Sequence, residues 1–222
     1  MIVAIDGPAG SGKTTVGRLV AQRLGFALVD TGLFYRAVTV EARRRAVPVS
    51  DVGALTELAR GVAIELNTSP SPAPGAALVW VDGNDVTRQA LDPTIATELS
   101  LVASVGPVRE ALCAAQRRYS SHDSVVLGRD IGTVIFPGAE IKFFFTASAS
   151  ERLRRRRLAL EESTGRPASE AVLEAEIDAR DRADSEREVA PLRRAADAII
   201  VATEGKSVHQ VFQEVMARLP ER

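Results

Sequence analysis

Residues 7–14 read Gly-Pro-Ala-Gly-Ser-Gly-Lys-Thr, the G-x-x-x-x-G-K-S/T spacing in which small residues let successive backbone N–H groups converge on phosphate oxygens. The chemistry this supports is the binding of a nucleoside triphosphate. Gly7, Pro8, Ala9, Gly10, Ser11 and Gly12 form the cradle, Lys13 reaches the terminal phosphates, Thr14 offers a hydroxyl to magnesium, and Thr15 follows in the same turn. The flanks agree with the motif. An apolar run at residues 2–5 ends just before the loop, and residues 13–24 carry a helical pattern that stops at Gly25. A helix N-terminus aimed at the loop adds positive partial charge. Without that strand and helix the same letters would describe only a glycine-rich turn.

Beyond the loop, the informative residues are arginines beside Asp and hydroxyl groups. Arg129-Asp130 follows an apolar run ending at Leu127-Gly128, at the carboxyl end of a candidate strand, where α/β sheets bind ligands. The pair reads either as a structural ion pair or as a reader of a phosphate and a base edge. Asp30-Thr31-Gly32 precedes a helix bearing Tyr35 and Arg36. Thr31 suits an N-cap, and the same helix start suits an anion such as an acceptor phosphate, with Arg36 one turn along. In the run Arg180 to Arg187, the spacings of Glu176 to Arg180 and Arg180 to Asp184 also describe a solvated helix. Arg152 and Arg154 to Arg157 form a basic face that is either solvated or a source of charge for transferring oxygens.

No nucleophilic Ser, Cys or Lys stands with a candidate base. An acceptor phosphate, with a second pKa of about 6, is largely ionised at neutral pH and needs none. Transfer to it would rest on alignment and charge neutralisation by arginines, the loop lysine and magnesium.

These residues need a scaffold, and the pattern supplies one. Apolar runs at residues 2–5, 27–29, 125–127, 141–145 and 198–201 lack polar alternation, as parallel strands buried on both faces should. Helical segments near 13–24, 32–46, 107–121, 149–163 and 207–219 separate them, with Pro107 suited to a first turn and Ser148 with Glu151 to a capping box. The alternation predicts a parallel α/β sheet flanked by helices. Two stretches break it. Residues 62–86 predict a small antiparallel insertion turning at 82–85, with Trp80 as its packing anchor. Residues 152–194 predict two charged helices split near 164–167, suited to a lid that closes over a charged ligand.

The totals bound these readings. A chain of 222 residues suits one domain, and 45% hydrophobic with 26% charged residues is ordinary for a soluble protein. A formal net charge of -1 gives no global attraction to nucleic acid or membrane, and with seven Phe, two Tyr and one Trp there is no interleaved basic and aromatic stripe. The lone Cys113 excludes an intrachain disulfide and reads as a packing thiol. His122 and His209 stand far apart, so zinc is not expected, and neither is assigned any chemistry. No leader or long apolar run is read, and a cytoplasmic protein is expected.

Taken together, Asp6-Gly-Pro-Ala-Gly-Ser-Gly-Lys-Thr14, Asp30-Thr-Gly-x-x-Tyr-Arg36, Gly128-Arg-Asp-Ile-Gly-Thr133 and Arg180-Asp-x-x-Asp-Ser-x-Arg-x-x-Ala-Pro-Leu192 resemble the bacterial-type cytidylate kinase family over nearly the whole chain. The resemblance implies a P-loop kinase: a parallel core sheet, a monophosphate-binding insertion at about 36–100 and a helical lid at about 152–190, in a single domain spanning residues 1–222. It implies transfer of the γ-phosphoryl group of ATP to CMP or dCMP, with Mg2+ near Thr14. By the family's pattern Ser100, Arg109 and Asp130 read the cytosine edge. Thr31, Arg129 and Arg187 hold the acceptor phosphate, Arg180 and Asp184 the sugar, and Tyr35 and Arg36 line the pocket. Lys13, Arg129, Arg180 and Arg187 are the catalytic set, and Arg152 and Arg156 approach ATP.

Thr31 stands where the family often has Ser, which keeps a hydroxyl, whereas Ala183 stands where some members carry another lid arginine. Partners implied are the small-molecule substrates, with no nucleic acid or membrane, and a monomer. Two other readings remain open at this level: a kinase for another small acceptor on the same scaffold, for which Ser100, Arg109 and Asp130 would be unnecessary, and a non-catalytic ATP-sensing module, which would bind without turnover.

Overall fold

The computed structural model describes residues 1–76, 78–119, 123–164 and 169–220. Five strands, β1 (Ile2–Asp6), β2 (Ala27–Asp30), β6 (Ser124–Gly128), β7 (Ile141–Thr146) and β8 (Ile199–Ala202), form a parallel sheet in the order β2-β6-β1-β7-β8. β1 is central, and its last residue, Asp6, pairs with Gly128 on one side and Phe144 on the other. The strands carry no polar alternation because the sheet is covered on both faces. Val3 and Ile5 face one core with α1 (Lys13–Leu24) and α9 (Val208–Met216), through Val16, Val20, Phe143, Phe145, Val211 and Val215. Ala4, pointing the other way, joins Val29, Phe34, Val38, Leu55, Val126 and Leu112 in a second core.

That second core is closed by α2 (Gly32–Arg44), α3 (Val52–Gly61), α4 (Thr87–Leu91), α5 (Ala96–Ser104) and α6 (Gly106–Arg118), the last with Pro107 in its first turn as expected. The sequence pattern anticipated α2 and α6 but not α3, α4 or α5. Between them lies the expected antiparallel piece, β3 (Ile64–Leu66), β4 (Val79–Val81) and β5 (Asn84–Asp85), turning through Asp82 and Gly83 at φ of 48° and 77°. Its anchor is not Trp80. Val79 and Val81 are the buried residues of β4, and Trp80, on the opposite face of the pleat, is half-buried.

Two further local expectations are corrected. The Thr31 side chain does not cap α2; its hydroxyl donates to the Leu127 carbonyl at 2.8 Å. The box at Ser148 is half formed: Ser148 Oγ accepts from Glu151 N at 3.2 Å, while the Glu151 carboxylate turns to Arg154 and Arg155. A full capping box stands instead at Ser207 and Gln210 of α9. Cys113 is half-buried at the margin of the second core, and His209 is exposed beside Phe212. His122 and the break between α7 (Ala149–Thr164) and α8 (Glu170–Glu186) at residues 165–168 lie outside the described residues. No described helix is long and apolar enough to cross a membrane.

Candidate active site

The phosphate loop leaves β1 at Gly7 and enters α1 at Lys13. Gly7, Gly10 and Gly12 all have positive φ, of 147°, 75° and 91°. A Cβ on Gly7 would meet the Phe145 carbonyl oxygen at 2.4 Å, so glycine is required there. Gly12 stands at the N-cap with no side-chain cap, which leaves the first N–H groups of α1 for a ligand. Lys13 is buried and donates to the carbonyls of Gly7 and Pro8, each at 2.6 Å. Burial pushes its ammonium well below the ordinary lysine value, and Arg129 adds to the effect. An anion in the cradle would offset both. Thr14 and Thr15 are exposed at the start of the helix.

Beside the loop, β6 ends at Gly128 and delivers Arg129 and Asp130 into a network of charges. Asp130 is buried and accepts from Arg109 Nη2 at 2.7 Å, and Arg187 Nη2 lies 3.9 Å from its other oxygen. Arg109, on α6, also donates to the Ala103 carbonyl and stacks over the Tyr35 ring at 5.0 Å. Arg129 Nε donates to Asp184 Oδ2 at 2.8 Å, and Arg187 Nη1 to Asp184 Oδ1 at 3.2 Å. Burial pushes the Asp184 carboxyl up, but Arg129, Arg180 and Arg187 outweigh it and hold it below the ordinary value. Burial works against the Arg109 charge as well, yet Tyr35 and Asp130 leave it raised.

Two buried donors of this network, Arg109 Nε and Arg187 Nη2, have no hydrogen-bond partner among the described residues. Arg180 has no hydrogen bond or ion pair among the described residues. Burial and then Arg129 push it down to about 10, with Arg36 and Arg156 adding their repulsion. Arg36 donates to the Ala90 carbonyl at 2.5 Å, and Ser100 is half-buried on α5. Unsatisfied donors and mutually repelling guanidiniums in a buried site mark a place built for an anion with acceptor atoms.

The charged helices α7 and α8 pack against each other, and α7 reaches the loop. Arg152 is buried, donates to both oxygens of Asp181 at 3.0 and 2.6 Å, and lies 3.4 Å from the Ala9 carbonyl. Arg156 is exposed, and lines a cavity of about 170 Å³ with Pro93, Leu160, Val172, Leu173 and Glu176 that contains no loop residue.

The structure thus gathers Thr31, Tyr35, Arg109, Arg129, Asp130, Asp184 and Arg187 around one site. Sequence reasoning left several neighbours without a role. Arg155 lies 3.5 Å from the Gly10 carbonyl and donates to Thr203 Oγ1 at 3.0 Å, while the Thr203 hydroxyl reaches the Ser11 carbonyl at 3.1 Å. Asp181 holds Arg152. Asp6 accepts the N–H groups of Ile131 and Gly132 at 2.8 and 2.7 Å. Asp6 carried a signal in its place directly before the loop, and Arg155 in the basic face of residues 154–157; Asp181 and Thr203 act through contacts that spacing does not record.

The family model described as cytidylate kinase matches residues 3–221. The cytidylate kinases of Pelotomaculum thermopropionicum and Geobacillus kaustophilus are each 44% identical, over 218 and 223 residues, covering 98% and 99% of this chain and 95% and 96% of theirs. A bifunctional pantoate ligase/cytidylate kinase of Prochlorococcus marinus is 45% identical over 217 residues, 97% of this chain. This chain spans only 42% of that longer relative. Identity of this extent, reaching from the loop strand to the last helix and taking in every element that lines the site, shows that the chain belongs to the cytidylate kinase family.

Proposed function

We propose that the protein transfers the γ-phosphoryl group of ATP to CMP or dCMP, giving ADP and CDP or dCDP. The observation that carries this reading is the junction of two sites: a phosphate loop after β1, and next to it, around the end of the neighbouring strand β6, a buried guanidinium network with unsatisfied donors on Arg109 and Arg187. An oxygen of the acceptor phosphate attacks the γ-phosphorus, and the bond to the bridging oxygen breaks to release ADP. The acceptor is already ionised, so no side chain takes a proton. Lys13 turns from the loop carbonyls to the terminal phosphates, and Arg129, Arg180 and Arg187 stabilise the equatorial oxygens.

On the acceptor, Thr31, Arg129 and Arg187 hold the phosphate and Arg180 with Asp184 the sugar. Asp130 and Ser100 accept from the cytosine amino group and Arg109 donates to its ring acceptors, with Tyr35 and Arg36 lining the pocket. Gly7 to Thr15 cradle the donor, and Arg152 and Arg156 approach it. No group of three or more His, Cys, Asp or Glu among the described residues could cage a metal. The exposed Thr14 hydroxyl would hold magnesium together with the phosphates, where the ion would supply charge neutralisation. The same reading has the protein acting as a cytoplasmic monomer on free nucleotides, in keeping with a formal net charge of -1.

The test is ADP release with Mg-ATP against CMP, dCMP, UMP, AMP, GMP and shikimate, and with no acceptor. Turnover that depends on CMP and dCMP is expected. Turnover only with another acceptor would remove the cytosine assignment of Asp130, and none with any acceptor would remove the kinase reading.

A further inference from the structure

Arg129 and Asp130 occupy a two-residue bend that β-sheet hydrogen bonding does not hold. The chain enters it from Gly128, paired with Asp6 in the β1–β6 ladder, and leaves it at Ile131 and Gly132, at the head of the turn Ile131–Ile135. Both exit amides donate to the buried Asp6 carboxylate, Ile131 N to Oδ1 and Gly132 N to Oδ2. One residue therefore pins the bend at both ends, by its backbone and by its side chain. The approach is close: a Cβ on Gly132 would lie 3.4 Å from Asp6 Oδ2 and 3.0 Å from Lys142 Cδ. Asp6 itself immediately precedes Gly7, so the same residue also fixes where the phosphate loop begins.

We infer that Asp6 is a positioning residue for the acceptor site: by accepting the amides of Ile131 and Gly132, its carboxylate fixes the bend that aims Arg129 and Asp130. This rests on the assignment of those two side chains to the acceptor. A carboxylate suits the role because it accepts at both oxygens; an amide or a protonated acid turns one oxygen's place into a donor facing an N–H. Burial and Asp130 raise the Asp6 carboxyl, the two amides and Lys13 lower it, and the balance leaves it at about 6. On the β7 side Lys142 packs on the turn, its ammonium held by Asp197 at 2.8 Å and by the Pro137 carbonyl at 2.5 Å.

Two experiments decide it. In Asp6→Asn, one of two charge-assisted bonds to buried amides is lost, so KM for CMP should rise about tenfold or more at pH 8 while KM for ATP stays within about twofold. A change shared equally by both substrates, or none for CMP, overturns the inference while wild-type turnover of CMP leaves the proposed function standing; a wild type inactive on CMP removes the function itself. The second readout needs no variant. In the wild-type protein the amide resonances of Ile131 and Gly132 should titrate together with a midpoint near the raised Asp6 value of about 6. Resonances that stay still from pH 5 to pH 8 overturn the inference, including where Asp6→Asn does not fold.

Discussion

On the proposed assignment, the donor and acceptor sides of the site hold phosphate in opposite ways. On the donor side the loop lysine leans on backbone alone, Lys13 on the carbonyls of Gly7 and Pro8, while Arg152 and Arg155, held by Asp181 and Glu151, also reach the carbonyls of Ala9 and Gly10. A bound polyphosphate would displace those contacts and offset the burial that disfavours the lysine's charge. On the acceptor side, Arg109, Arg129 and Arg187 are already held by Asp130 and Asp184, with side chains drawn from α6, the bend after β6 and the end of α8. Little has to move there. The donor side is rebuilt by its ligand, whereas the acceptor side is preorganised for one.

The sharpest way to break that contrast is at Lys13. In Lys13→Ala, kcat should fall by about 10²- to 10³-fold, the loss typical of one preorganised charge stabiliser. Ligand-free stability should hardly drop, because the buried ammonium is disfavoured where it stands. ADP-release kinetics and a thermal melt check the two halves, and a large loss of stability would mean that the lysine is structural.

Asp130→Asn should invert the pattern. It removes the ion-pair partner of the buried Arg109 and leaves Arg187 to Asp184 alone, at a cost of about 3 kcal/mol in stability. KM for CMP should rise by more than tenfold in step, with KM for ATP nearly unchanged. Denaturant unfolding read beside both Michaelis constants tests this, and an equal loss of ATP affinity would show that the two sides are one cooperative unit. Arg152→Ala comes next in size, with KM for ATP raised about tenfold, in the range of one charge-assisted contact. Because Arg152 is held by Asp181 rather than by any acceptor residue, KM for CMP should stay within a factor of two. A matching change for CMP would place the lid on the acceptor side.

The same contrast explains what could be read from the sequence. The donor loop and all five sheet strands were legible because each is one run of chain with its own pattern. On the acceptor side the residues suggested Arg129, Asp130 and the start of α2, but the roles of Ser100, Arg109 and Arg187 came only through family resemblance, since the partners are remote: Thr31 suited a cap of its own helix, yet its hydroxyl goes to Leu127, 96 residues on. Asp6 and its amide partners lie 125 and 126 residues apart. In the insertion, alternation revealed β4 but not which face is buried, because that phase depends on what the sheet packs against. Trp80 was therefore assigned to the wrong side. The helix α4, five residues long, is too short to show a period.

Arg156 is the residue that joins the two sides, and it offers the smallest and most discriminating effect. It is exposed and belongs to the lid, yet its charge lowers the pKa values of both Arg36 and Arg180 at the acceptor pocket. In the ligand-free protein it adds repulsion to a surplus of guanidiniums; with a phosphate between them the same charge becomes attractive. Arg156→Ala should therefore raise the melting temperature slightly without ligand at low ionic strength, and 1 M salt should erase that gain, since an exposed charge is screened within about 3 Å there. With nucleotides present the sign should reverse, as a modest rise in KM. If the melting temperature falls without ligand instead, Arg156 is held by attraction rather than repulsion, and the charge surplus that makes the acceptor side a phosphate site does not extend to the lid.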